Sequence, residues 1–394
     1  MEEEMKTSSD RTGKVVAQPT GYDAFIPNAL PPVPAINIDS EMQYLLSAAD
    51  RKLGRLDGIT RVLPNPDLFL AMYVKKEAVL SSQIEGTQAS LVEVLDVPAK
   101  EHDETKKNDI VDVVNYVKAM NYGLQRLETL PLSLRLIREI HAILLQGVRG
   151  SDRNPGEFRK SQNWIGVAGC TLATATFVPP PVDEMLKAMG DLEKYFYDES
   201  FIPPLIKIAL IHAQFETIHP FLDGNGRVGR LLITFWLCQQ EILSKPLLYL
   251  SYYFKLNRTE YYDKLMDVRL HGSWEEWIKF FLKGIETVSD EATNSATAIL
   301  TLRDRYSNEL SRIAGSNSNY QKLLDYLFEV PVIGRKEIID VLGVSSPTAG
   351  ELIDRFCSIG ILHDVTPEKQ RNKKYHFIEY LNILEKGTER GDTQ

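Results

Sequence analysis

The chain has 394 residues, more than one hydrophobic core usually organises, so two or three packed units are expected. A hydrophobic share of 43% beside 25% charged residues excludes a fibrous, disordered or membrane-embedded chain. A formal net charge of -9 excludes broad attraction to nucleic acid or to an anionic membrane, so partners have to be argued from local sites.

In chain order, residues 1–36 are polar and then proline-rich, a composition that predicts an extended arm lying along a neighbouring surface. The acidic opening lacks the basic and apolar segments of a secretory signal, and no later run is long enough to span a membrane. Cys170, Cys238 and Cys357 are too scattered for a zinc site and odd in number for a disulfide framework, so a reducing, cytoplasmic setting is expected.

Apolar residues recur at helical spacing over 42–56 and 66–82, with Asn65 placed to cap the second helix and Pro66 suited to its first position. The charged stretch 100–108 reads as an exposed loop, and helices are expected near 110–127, 132–146 and 183–197. Between them, the alternation around 163–169 and 175–178 predicts two short strands forming a hairpin. Helical spacing resumes over 205–215, 225–240, 259–269 and 274–312. After a polar linker at 316–319, helices at 320–328, 335–342 and 346–357, followed by a strand pair at 361–364 and 374–377, resemble a winged helix.

The segment His219-Pro-Phe-Leu-Asp-Gly-Asn-Gly-Arg-Val-Gly-Arg230 carries the chemistry. Gly224 and Gly226 permit positive φ and close approach, so the amides around Asn225 can face an anion at the amino end of the following helix. Arg227 and Arg230, on neighbouring turns, add planar guanidinium groups for further phosphate oxygens. Asp223 supplies the hard oxygen that a Mg2+ ion shared with phosphates requires. His219 has the ordinary pKa of a base that takes a proton from a hydroxyl near neutrality. His212, with no such company, reads as a core residue.

This segment resembles the signature of the Fic family at every fixed position. The resemblance implies a mainly helical core with a small β-hairpin flap, and transfer of AMP from Mg-ATP to a Ser, Thr or Tyr hydroxyl of a protein. His219 would be the catalytic base, Asp223 the metal ligand, and Gly224, Asn225, Gly226, Arg227, Val228, Gly229 and Arg230 nucleotide-binding. The upstream segment Ser81-Ser-Gln-Ile-Glu-Gly86 resembles the family's inhibitory pattern, in which Glu85, flanked by Ser81 and Gly86, would pair with Arg230 and displace the γ-phosphate. The hairpin at 163–178 corresponds to the flap that aligns a target segment on its edge. Near Arg258 a Tyr-Tyr pair resembles the adenine-pocket segment, and spacing favours Tyr262 over Tyr261.

The expected organisation is an arm (1–36), an amino-terminal helical domain with the inhibitory motif (37–105), the catalytic core (106–290), a connecting helix and linker (291–316) and a winged-helix module (317–394). Expected partners are a protein substrate, the chain itself through autoadenylylation, and a second copy shielding the inhibitory helix. Two rival readings are an enzyme of the same fold that uses another nucleotide or removes AMP, and a DNA-binding regulator. The second is weakly supported, because Arg355 is the one basic residue of the recognition helix and Lys369, Arg371, Lys373 and Lys374 lie beside Asp364 and Glu368.

Overall fold

The computed structural model describes residues 11–62, 66–96, 104–147, 152–167, 169–314 and 318–388. Residues 1–10 of the expected arm lie outside the described residues; from residue 11 the arm folds back on itself as a hairpin of β1 (Gly13–Ala17) and β2 (Asp23–Pro27), in register from Gly13↔Pro27 to Ala17↔Asp23. Asp39 caps α1 (Ser40–Val62) by accepting from the Met42 amide at 2.8 Å. Pro66 opens α2 (Pro66–Ile84) as its composition predicts, while the proposed cap Asn65 falls outside the described residues.

The short α3 (Leu91–Leu95) begins in a capping box made by Ser90 and Glu93. Next, α4 (Glu104–Leu127) starts inside the stretch expected to be a loop. Glutamate and lysine are good helix formers, and local charge density alone does not stop a helix. Ser133 caps α5 (Leu134–Leu144), and α6 (Val182–Phe196) follows the flap region.

The centre is an antiparallel pair, α7 (Pro204–Ile218) and α8 (Asn225–Gln239). Every residue of α7 from Leu205 to Ile218 is buried, the mark of a helix surrounded by protein on all sides. Around it lie α9 (Ser251–Leu256), α10 (Arg258–His271) and α11 (Trp274–Ala314). At 41 residues α11 extends roughly 60 Å. It packs along α1 at one end and reaches the carboxyl-terminal module at the other.

That module contains α12 (Asn319–Glu329), β3 (Val332–Gly334), α13 (Arg335–Leu342), α14 (Ser346–Ser358), β4 (His363–Asp364), β5 (Lys374–His376) and α15 (Ile378–Glu385). Its antiparallel sheet has the order β3-β5-β4. Strand β3 and helix α15 were not foreseen. One apolar core runs from Met42 to Leu384, joining this module to the centre. Among the described residues no helix is long and apolar enough to cross a membrane.

The expected flap hairpin is reduced to a single antiparallel bridge between Ile165 and Phe177, with a 3-10 turn at Leu172–Thr174. The outer side of this bridge is occupied, since the Phe25 amide of β2 donates to the Val178 carbonyl at 2.9 Å. The arm therefore backs the flap rather than lying loose.

Candidate functional site

His219 ends α7 in the left-handed region, with φ 50° and ψ 61°, a conformation a non-glycine residue holds only when its surroundings dictate it. Three buried groups do so. The His219 carbonyl accepts from Arg159 Nε at 3.1 Å and from Asn163 Nδ2 at 3.0 Å. The Arg159 amide donates to the Pro220 carbonyl at 2.9 Å, and Asn163 Nδ2 also reaches the Phe221 carbonyl at 2.9 Å. From the other side, Asn225 Oδ1 accepts from the Phe221 amide and its Nδ2 donates to the Phe221 carbonyl, both at 2.8 Å.

His141 fixes the far end of the loop. Its Nδ1 accepts from the Gly156 amide at 2.8 Å, which places the proton on Nε2, and Nε2–H donates to the Asp223 carbonyl at 3.0 Å. The ring stacks on Phe221 with centroids 3.7 Å apart, and burial pulls its pKa down to about 4, so it stays neutral in this role.

Gly224 takes φ +77° as it starts α8, as expected. Gly226 does not; it is helical, and its function is close approach. A Cβ there would lie 2.1 Å from Glu85 Oε1. The Val228 side chain is fully buried in the core, and Gly229 faces Glu216; neither lines the cavity described below.

The expected pairing of Glu85 with Arg230 is present. Arg230 Nη2 donates to Glu85 Oε1 at 2.7 Å and to the Ser81 carbonyl at 3.0 Å, and Nε donates to Ser81 Oγ at 2.7 Å. The guanidinium is buried, and Glu85 outweighs that burial and carries its pKa above the ordinary arginine value. Burial alone would push the Glu85 carboxyl up; Arg230 more than reverses this and holds it below its usual range. Glu85 still keeps 38% of its side chain exposed, because it faces an open cavity. Gly86 follows with φ +99° and ends α2 there.

Arg227 is also paired. Its Nη1 donates to Asp112 Oδ1 at 2.9 Å, and Nη2 stands 3.5 Å from Asp223 Oδ1. The Asp223 carboxylate accepts from the Gly224 amide at 2.5 Å and remains 37% exposed. Among the described residues no group of three or more His, Cys, Asp or Glu side chains could hold a metal.

A cavity of about 620 Å³ opens between the flap and α10, and His219, Glu85, Gly226, Arg230, Tyr262 and Trp164 are among its lining. Tyr262 is 39% exposed, whereas Tyr261 is buried and donates to His212 Nε2 at 2.9 Å. His212 is a core residue, as expected: its Nδ1–H donates to the Gly229 carbonyl at 2.9 Å. Burial first, then Arg269 and Arg159, depress the His219 pKa to about 3, so the ring is neutral and able to accept a proton.

Asp112, His141, Arg159, Asn163 and Glu216 are the site residues that sequence reasoning missed. Only their meeting around residues 219–230 marks them, and no local pattern does.

A buried helical hairpin whose connecting loop presents a histidine, a glycine turn and two paired arginines defines a Fic-type protein. Residues 43–125 match the family profile described as Fic/DOC family N-terminal, and residues 131–237 match the one described as Fic/DOC family. The chain carries both of these Fic/DOC family regions in tandem. A probable protein adenylyltransferase of Aquifex aeolicus is 31% identical over 182 residues, covering 45% of this chain and 51% of that protein. The protein adenylyltransferase fic-1 of Caenorhabditis elegans is 25% identical over 221 residues, covering 55% of this chain and 41% of that protein. The chain thus spans about half or less of the length of these relatives. A crystal structure of a Fic family protein from Desulfovibrio desulfuricans G20 has the same fold, with a TM-score of 0.54 and 18% identity, covering 87% of this chain and 97% of that one.

Proposed function

We propose that the chain is a protein adenylyltransferase that moves AMP from ATP to a protein hydroxyl and is restrained by its own Glu85. The observation that carries this reading is that His219, the amino end of α8 and Arg230 all open on one cavity, with Glu85 on the arginine. In this reading the target hydroxyl oxygen attacks the α-phosphorus as its proton passes to His219 Nε2. The new oxygen–phosphorus bond forms as the bond to the bridging oxygen breaks, and pyrophosphate leaves with that electron pair. The amides at the start of α8 receive the charge of the phosphate oxygens.

Asp223 is the residue that would hold magnesium. A single half-exposed carboxylate suits an ion that takes one or two protein oxygens and completes its shell with phosphates and water. Magnesium would neutralise phosphate charge. With Glu85 on Arg230, the guanidinium is not free for the γ-phosphate, and its release requires Glu85 to leave. A target segment would add to the flap along Trp164–Val167, where Val167 is 77% exposed.

The test is autoadenylylation with α-labelled ATP and magnesium, comparing the parent with Glu85→Gly, His219→Ala and the double variant. Strong labelling of Glu85→Gly that vanishes when His219 is also lost is expected. Equal labelling with and without Glu85 would remove the restraint from the reading. Labelling by UTP alone, or by no nucleotide, would remove the adenylyl transfer.

A further inference from the structure

We infer that Glu216 positions the general base: its main-chain carbonyl keeps the proton on His219 Nδ1, so that Nε2 presents a lone pair to the cavity, and its carboxylate balances the charge the ring gains. The inference rests on the adenylyl-transfer reading for its kinetic consequence and on geometry alone for its structural one.

Glu216 lies one turn before His219 on α7. Its main-chain carbonyl accepts from His219 Nδ1 at 3.4 Å, and its Oε2 stands 4.0 Å from the same nitrogen. That distance is too long for a hydrogen bond and short enough for electrostatic coupling between two largely buried side chains. The other oxygen, Oε1, is buried and has no hydrogen-bond partner. The chain makes room for it: a Cβ on Gly229 would lie 2.4 Å from Oε1. An unpartnered carboxylate in a space kept open by a glycine is costly unless it has something to do.

The charged groups around it show what that is. From α8 comes Arg230, from α10 come Arg269, Tyr261 and Tyr262, from α2 comes Glu85, and from the end of its own helix His219. Arg269 Nη2 is committed to the Glu216 main-chain carbonyl at 3.0 Å, so Arg269 faces the imidazole as an unhelpful cation. An imidazolium formed there needs an anion, and Glu216 is beside its inner nitrogen. Burial first, and Glu85 as a further cause, raise the Glu216 pKa to about 7, against the pull of Arg230 and Arg269. Removing the Glu85 charge therefore favours the ionised form of Glu216. Releasing the inhibitory contact and readying the base are coupled through one field.

Two measurements on the full chain decide this. In a Glu85→Gly background, Glu216→Gln is expected to lower kcat about 10- to 100-fold with KM for ATP within about twofold. It should also abolish the rise of rate that ionisation of Glu216 produces, which without the Glu85 charge lies below pH 7, and Glu216→Asp should restore that rise. Unchanged kcat, or an unchanged pH profile, would overturn the role. Independently of any turnover, the ring nitrogens of His219 followed by 15N NMR should report a titration near pH 7 in the parent that Glu216→Gln removes. A His219 ring indifferent to Glu216 would overturn it even if labelling were intact. If Glu85→Gly labels nothing, adenylyl transfer fails as a reading and the NMR result still decides the pairing. If Glu216→Gln does not fold, the same spectra of Glu216→Asp decide: an altered titration supports the pairing, and spectra identical to the parent's refute it.

Discussion

At position 226 a hydrogen atom in place of a methyl group decides how α2 and α8 meet, since Glu85 Oε1 occupies the space a side chain would need. The motif alone assigned positive φ to both Gly224 and Gly226, and only Gly224 uses it, because close approach and backbone freedom leave the same mark in a sequence. Arg227 shows the converse. Its place near the positive end of a helix indicated that anions had to be close, but the main one, Asp112, is 115 residues away in the chain. Both members of this pair are buried, with relative exposures of 8% and 7%, so removing the acid strands a guanidinium. Asp112→Ala is expected to lower the unfolding free energy by about 3 kcal/mol in urea titration. A loss below about 1 kcal/mol would mean that Asp223, 3.5 Å from the other end of Arg227, carries the charge alone.

Among the elements, the long periodic helices were legible and the short pairings were not. A helix of the length of α11 repeats its apolar stripe many times, whereas the Ile165–Phe177 bridge rests on two hydrogen bonds between residues distant in the chain. The same limit hid β3, which has three residues, and the arm hairpin, whose prolines indicated extension without indicating a partner. That hairpin makes a specific prediction. Phe25 packs on Phe177 with ring centroids 5.7 Å apart and donates to Val178, so the arm supports the flap from behind. A chain lacking residues 1–28 should exchange its Phe177 amide hydrogen at least about tenfold faster in deuterium-exchange mass spectrometry, because local opening loses its outer support. Exchange at the parent rate would show the bridge to be self-sufficient. The loop from His219 to Gly224 depends on its neighbours in the same way. Asn163→Ala removes the donor shared by the His219 and Phe221 carbonyls, and in a Glu85→Gly background it should lower labelling about tenfold while the helical circular dichroism stays unchanged. Full labelling would mean that Arg159 and Asn225 hold the loop without it.

Across the whole molecule, α2 is the element on which separate parts converge. Gln83, two residues before Glu85, donates to the Ala89 carbonyl and to the Thr388 carbonyl, both at 3.0 Å, so the end of the carboxyl-terminal module touches the same turn that carries Glu85. Lys374 of β5 reaches Asp96 at 3.2 Å and Lys373 pairs with Asp364 at 2.6 Å, which neutralises part of the basic charge around β4 and β5. Deeper in α2, Glu77 is enclosed, accepting from the Tyr116 hydroxyl and the Ser251 amide at 3.2 Å each and from the Ser251 hydroxyl. Burial raises its pKa from 4.5 to about 7, a rise that Ser251, Arg230 and Tyr116 oppose without cancelling. The folded chain therefore keeps a proton between those two values that the unfolded chain has released. Where the folded state binds the extra proton, stability falls as pH rises, so the contribution of Glu77 is most favourable below about 4.5 and fully lost above about 7. The change amounts to roughly 3 kcal/mol. His141, His212 and His219, whose depressed pKa values act in the opposite direction below their ordinary value, are common to parent and variant and drop out of a difference. The stability of Glu77→Gln relative to the parent should accordingly improve steadily from pH 4.5 to 7 and then level off, as read from thermal unfolding at each pH. A difference that stays constant across that window would mean that Glu77 is already ionised in the folded chain, with Arg230 and its three hydrogen bonds outweighing its burial.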